Sequence, residues 1–142
     1  MLLDRNDSPP VRTLRGKCLC GAVQYEVADA FEYALNCHCS NCRRATGSAF
    51  KPFGGVKLAR LRLIADESHV LIHGGGDAHD VHCRLCGSLL YSAFPPRSLA
   101  HVTFGTLVDM PSLHPTAHIF VGSKAPWFDI RDDLPQHDEF PP

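Results

Sequence analysis

The chain has 142 residues, 44% of them hydrophobic and 20% charged. That suits one domain with a real core and excludes an intrinsically disordered chain. Its 14 Lys and Arg against 15 Asp and Glu leave a formal charge of −1, so the basic field that nucleic acids and anionic membranes attract is missing and neither partner is expected. No apolar run approaches a bilayer span. The stretch Met1–Pro10, with Asp4, Asp7 and two prolines, lacks the apolar core of a secretory signal, so a cytoplasmic, reducing setting is expected.

Eleven glycines and eleven prolines punctuate short stretches that alternate apolar and polar residues, the period of strands rather than helices. Residues 1–12 and 132–142 read as tails around one domain over residues 13–131. In chain order, Cys18-Leu-Cys20 reads as extended chain, with i and i+2 facing one side. Val23, Tyr25 and Val27 follow as a strand. Ser40 is placed to cap a short helix through Cys42-Arg-Arg-Ala45 that stops at Gly47. Lys57, Arg60 and Arg62 suggest a charged strand face. Strands are expected around Val70–Ile72, Val102–Phe104 and His118–Val121, and Gly74-Gly-Gly76 with Asp77 marks a turn. The fold class is mainly β, with one or two short helical turns.

Seven cysteines cannot all pair within one chain, and in a reducing setting closely spaced thiols point to metal. They fall in three groups: Cys18 and Cys20; Cys37, Cys39 and Cys42; Cys83 and Cys86. A C-x-x-C turn followed by glycine, as in Cys83-Arg-Leu-Cys86-Gly87, aims two sulfurs at one point. Two such pairs complete a tetrahedron, so Cys18, Cys20, Cys83 and Cys86 are expected to hold a structural zinc. Cys37, Cys39 and Cys42 fill three corners of a second site, giving two zinc ions per chain. An open fourth corner is the mark of a catalytic metal. Three thiolates around a dication leave one net negative charge, a centre suited to a soft sulfur ligand such as a thiol. Arg43 and Arg44 follow Cys42 directly, placed to offset that charge or to hold a carboxylate of the thiol carrier.

With these motifs in view the chain resembles the glutathione-dependent formaldehyde-activating enzyme family, which includes centromere protein V. The resemblance rests on Gly16-Lys-Cys-Leu-Cys-Gly-Ala22, Cys37-His-Cys-Ser-Asn-Cys-Arg-Arg-Ala-Thr-Gly47 and Cys83-Arg-Leu-Cys-Gly-Ser88. It continues through His118-Ile-Phe-Val121, Ser123-Lys-Ala-Pro-Trp127, Asp129-Ile130 and Leu134-Pro-Gln-His137. It implies stacked antiparallel sheets of the β-tent type with zinc-ribbon-like knuckles, a four-Cys structural zinc and a three-Cys second zinc. It also implies condensation of glutathione with formaldehyde to S-(hydroxymethyl)glutathione, formally a carbon–sulfur lyase step in reverse. A related small aldehyde fits the same chemistry. Departures from the family lie in the compact segment between Gly47 and Cys83 and in Val81-His82, where many relatives carry an aromatic.

Two rival readings stand beside this one. The cysteines of the triad can serve redox chemistry. Both metals can instead hold together a non-catalytic module that binds glutathione or a protein. His38, between two of the cysteines on an extended segment, points away from their sulfurs and is not expected as a ligand. His79, His82, His101 and His118 are candidates for a proton shuttle or a fourth ligand. For Lys124 and Trp127, a surface loop anchored by a packed tryptophan weighs against substrate contact.

Overall fold

The computed structural model describes residues 10–142; most of the expected N-terminal tail lies outside them. Ten strands form two sheets. β1 (Thr13–Lys17), β2 (Gln24–Ala28) and β5 (Leu61–Ile64) make a three-stranded antiparallel sheet in the order β1-β2-β5. The second sheet has seven strands: β3 (Tyr33–Cys37), β4 (Lys51–Lys57), β6 (Val70–Gly75), β7 (Ala78–Cys83), β8 (Leu89–Phe94), β9 (Leu99–Thr103) and β10 (His118–Ile119). Their order is β10-β3-β4-β9-β8-β7-β6, antiparallel except that β10 runs parallel to β3. The one α-helix among the described residues, α1 (Ser40–Thr46), lies between β3 and β4; the other helical pieces are single 3-10 turns, more numerous than expected.

Alternation decides which faces meet. Leu14 on β1 and Tyr25 and Val27 on β2 are buried while their neighbours are half-buried or exposed. They pack with Val56, Val81, Val102, Ala100 and Tyr91 of the larger sheet in one core. Two glycines let aromatic rings cross the sheets. A Cβ at Gly16 would stand 2.1 Å from the Tyr25 ring, and one at Gly54 would stand 2.5 Å from Phe104. The Tyr25 hydroxyl bonds to Thr106 Oγ1 at 2.7 Å.

Three expectations need correction. His118–Val121 gives only a two-residue strand, because Phe120 takes a left-handed φ of 54° and a 3-10 turn follows. Phe104 likewise leaves β9 and opens a 3-10 turn. Residues from 132 onward are not free: His118 N–H donates to the Pro135 carbonyl at 2.8 Å, His137 N–H to that of His118 at 2.9 Å and Phe120 N–H to that of Glu139 at 3.1 Å. β10 lies at the sheet's edge, and these bonds satisfy backbone groups that would otherwise stay unpaired. Of the basic strand face, Arg62 pairs with Glu26 at 3.1 Å across β5 and β2, while Arg60 falls in a 3-10 turn.

Gly16→Ala should destabilise the fold by about 1–3 kcal/mol by overpacking against Tyr25. Urea unfolding should show a lower midpoint at unchanged slope.

Candidate metal centres

The first pair of sulfurs is brought together by a turn, not by the extended chain expected for Cys18-Leu-Cys20. β1 ends at Lys17; the chain reverses with Gly21 at φ 83° and Gly21 N–H bonded to the Cys18 carbonyl at 3.2 Å. The second pair lies between β7 and β8, where Gly87 at φ 84° permits the reversal and its N–H reaches the Cys83 carbonyl at 2.8 Å. Cys18 and Cys20 sulfurs are 3.7 Å apart, as are those of Cys20 and Cys83. A tetrahedron with zinc–sulfur bonds of about 2.3 Å has edges of about 3.8 Å, so the spacing fits zinc. Backbone N–H groups point at the sulfurs, Val23 at Cys18 over 3.3 Å and Cys86 at Cys83 over 3.4 Å. The Ser88 hydroxyl beside Cys86 pulls that thiol down to about 5.

The triad sits where β3 runs into α1. Cys37 is the last residue of β3, and Cys39, rather than Ser40, caps the helix by accepting the Cys42 N–H at 3.3 Å. This repeats the contact of the Cys83-Arg-Leu-Cys86 knuckle. Gly47 closes the helix in the left-handed conformation, as expected. The sulfurs of Cys37, Cys39 and Cys42 lie within 4.8 Å of one another, and no fourth His, Cys, Asp or Glu among the described residues joins them. The donor set therefore fits a metal with one open position. A hydrogen bond from the Cys37 thiol, helped by the Lys51 ammonium, brings Cys42 down to about 6, while the same bond holds Cys37 up.

His38 faces away from the sulfurs, as expected, and is fully buried. Its Nε2 lies 2.8 Å from His118 Nδ1, and His118 Nε2 lies 2.9 Å from Asp132 Oδ2. Burial, reinforced by nearby His118, Lys124 and Arg43, lowers His38 to about 4. Asp132 only accepts, so His118 donates to it from Nε2, and His118 Nδ1 and His38 Nε2 share the next hydrogen bond. His38 Nδ1 has no partner. The chain from Asp132 to His38 thus pins the segment that carries two triad sulfurs, in the way outer hydrogen bonds orient metal ligands.

The remaining candidates disperse. Arg43 is half-buried, with its Nε unpartnered. Arg44 is exposed and lines a different depression, with Leu71, His73 and His82. His82 bonds to the Gly87 carbonyl through Nδ1 at 3.2 Å. His101 lies against Phe53, 4.4 Å between ring centres, on the strand two places from the triad. Lys124 donates to the Ala125 and Phe128 carbonyls and ties down its loop, whereas Trp127 is 70% exposed and meets Phe128 only edge-on at 6.5 Å.

Lys51 escaped the sequence reading. It is buried, faces Cys37 across the β3–β4 pair and stands 5.6 Å above the Phe53 ring. A lysine at the start of an apolar strand, nine residues past the triad's last cysteine, was the available signal. Asp132 was missed because it was assigned to a tail.

The glutathione-dependent formaldehyde-activating enzyme family matches this chain over residues 13–123. The chain belongs to this family. A curated protein of Halomonas elongata whose name carries the same activity is 29% identical over 139 residues, covering 83% of this chain and 81% of its own. A crystal structure of a Rhodobacter sphaeroides protein superimposes with a TM-score of 0.55 at 26% identity, over 69% of this chain and 91% of that one. The family match takes in all seven cysteines, and so both clusters.

Cys83→Ser should cost the fold as well as one metal, read together by circular dichroism and metal analysis. Asp132→Asn should loosen metal at the triad about tenfold in competition with a chelator, leaving the four-Cys site unchanged.

Proposed function

We propose that this member of the family is a zinc-dependent carbon–sulfur lyase-type enzyme, joining a thiol, glutathione as the family name indicates, to formaldehyde or a related small aldehyde. The observation that carries this reading is the incomplete triad: three sulfurs converge within 4.8 Å with no fourth protein donor among the described residues. Cys37, Cys39 and Cys42 would hold the reactive zinc, and Cys18, Cys20, Cys83 and Cys86 the structural one. Zinc at the triad would supply a soft Lewis acid whose open position suits a thiol sulfur and lowers its pKa.

The chain's own residues supply the rest. The thiolate attacks the carbonyl carbon, a C–S bond forms, and the carbonyl π pair moves to oxygen, which takes up the proton the thiol released. Lys51 is the buried cation within electrostatic reach of both Cys42 and His101, placed to stabilise the oxygen as charge develops on it. Cys37, Phe53 and Ile119 form an apolar cluster against Cys39 and Cys42, which keeps water from the sulfurs. Half-buried Arg43 offsets negative charge around the triad; Arg44, on the exposed side of α1, is left to meet a carboxylate in solution.

The unit that does this is one domain over residues 13–131, assigned to a reducing cytoplasm. No helix among the described residues is long and apolar enough to cross a membrane. The rival reading, a non-catalytic zinc module that binds glutathione or a protein, requires the triad to be purely structural.

Protein purified without added metal should carry close to two zinc ions per chain by mass spectrometry. Cys39→Ser should remain folded, drop to one, and lose thiol-dependent consumption of formaldehyde; an unfolded variant would favour the structural module. Lys51→Met should keep both metals and lower kcat by about 10²-fold.

A further inference from the structure

Cys37 and Lys51 are only the end of a longer face. Side chains alternate along β3 and β4, so Tyr33 and Leu35 share a side with Cys37, and Phe53 with Lys51. The pairings Cys37 with Lys51, Leu35 with Phe53 and Cys37 with Ile119 then place these residues on one face. The face opens into a cavity of about 450 Å³. Its walls include Leu35, Phe53, Phe94, Ile119 and Phe140. Three of these also belong to or pack on the cluster around Cys37, so the cavity continues from that cluster.

The cavity is built rather than left over. A Cβ at Gly55 would stand 2.2 Å from the Tyr33 ring, so the bare glycine lets Tyr33 lie across β4 and bring its hydroxyl within 2.6 Å of His101 Nε2. His101 is wedged between Phe53 and Phe94, with ring centres 4.4 and 4.9 Å away. Phe140, packed at 4.9 Å on Phe120, closes one side.

Formaldehyde is little larger than a water, which takes about 30 Å³, and has no use for such a space. Glutathione fits it poorly as well. The tripeptide brings two carboxylates, an ammonium and two peptide groups, but no acidic residue lines the cavity and its tyrosine and histidine already bond each other. Each polar group buried there without a partner would cost about 1–3 kcal/mol. Arg97 is the one cation lining the cavity; it is exposed and forms no ion pair among the described residues. A flat ring between aromatic walls and a carboxylate on a guanidinium are what this lining recognises.

We infer that the cavity beside the triad holds the carbon partner of the thiol, and that this partner is an aromatic aldehyde bearing a carboxylate, with its ring among Phe53, Phe94 and His101 and its anionic end at Arg97. This rests on the thiol-to-aldehyde reading above and names the aldehyde's class. The chemistry is unchanged: the thiol sulfur bonds to the carbonyl carbon and the released proton ends on the carbonyl oxygen.

The test is binding of 4-formylbenzoate and of unsubstituted benzaldehyde to the zinc-loaded full chain, followed by protein NMR and calorimetry. 4-Formylbenzoate should bind saturably and shift resonances of Phe53, Phe94 and His101. Arg97→Gln should weaken it about tenfold and benzaldehyde less than twofold, and Phe94→Ala should weaken both. Absence of saturable binding, indifference to Arg97→Gln, or displacement of the aldehyde by glutathione alone would overturn the inference. Consumption of formaldehyde and glutathione is assayed on the same sample. Its loss with aldehyde binding intact strikes the reaction and spares the cavity's assignment, whereas turnover of formaldehyde without aromatic binding does the reverse.

Discussion

Four cysteine sulfurs that converge at the junction of the two sheets are the constraint on which the rest depends. Cys18 follows β1 of the small sheet, Cys83 ends β7 of the large one, and both are buried in the common core. Strands this short bury little apolar surface each, and a metal bound by ligands so distant in sequence would link folding to binding. Such a clamp would hold the two sheets together and leave one face of the larger sheet free. Core and site are thus the two sides of the same strands: Ala34, Gly54 and Val102 look into the protein, while Leu35, Phe53 and His101 look out toward the cavity.

The division of labour between the two clusters follows from their surroundings. Around Cys18, Cys20, Cys83 and Cys86 all four corners are taken, and backbone N–H groups and Ser88 balance the charge on sulfur. At the triad a corner is open and the balancing charge is Lys51, a side chain rather than a backbone dipole. Thiols add to formaldehyde without help, so chemistry of this kind asks little of its catalyst. Selection among aldehydes would be the harder task, and Tyr33, Phe53, Phe94 and Phe140 line the cavity that would make it.

Much of this could be read from the linear order of residues. The spacing of the cysteines carries both clusters, because C-x-C, C-x-x-C and the glycines after them are local instructions for a turn. The stop of α1 at Gly47 and the turn at Gly76 and Asp77 were legible for the same reason, although Gly74 and Gly75 extend β6. What was not legible depends on strands that meet only in three dimensions. Lys51 acquires its role by pairing with Cys37, His101 by lying beside Phe53 across β9, and Asp132 by bonding a histidine fourteen residues back. The extended C-x-C was misread because alternation and a tight turn both bring i and i+2 sulfurs together. The C-terminal residues looked like a tail because they are polar and proline-rich, and only the bare edge of β10 explains why they are held.

That last segment also sets an order of events during synthesis. Every cysteine of the four-Cys cluster has been made once the chain reaches Gly87, so the clamp between the sheets can assemble while translation continues. The triad's sulfurs emerge earlier still, yet the partners that hold and enclose them come last: Asp132 for the histidine chain and Phe140 for the cavity wall. A growing chain can therefore bring the four-Cys cluster together while the triad stays open to the solvent. The triad is enclosed only when residues 132–140 dock along β10.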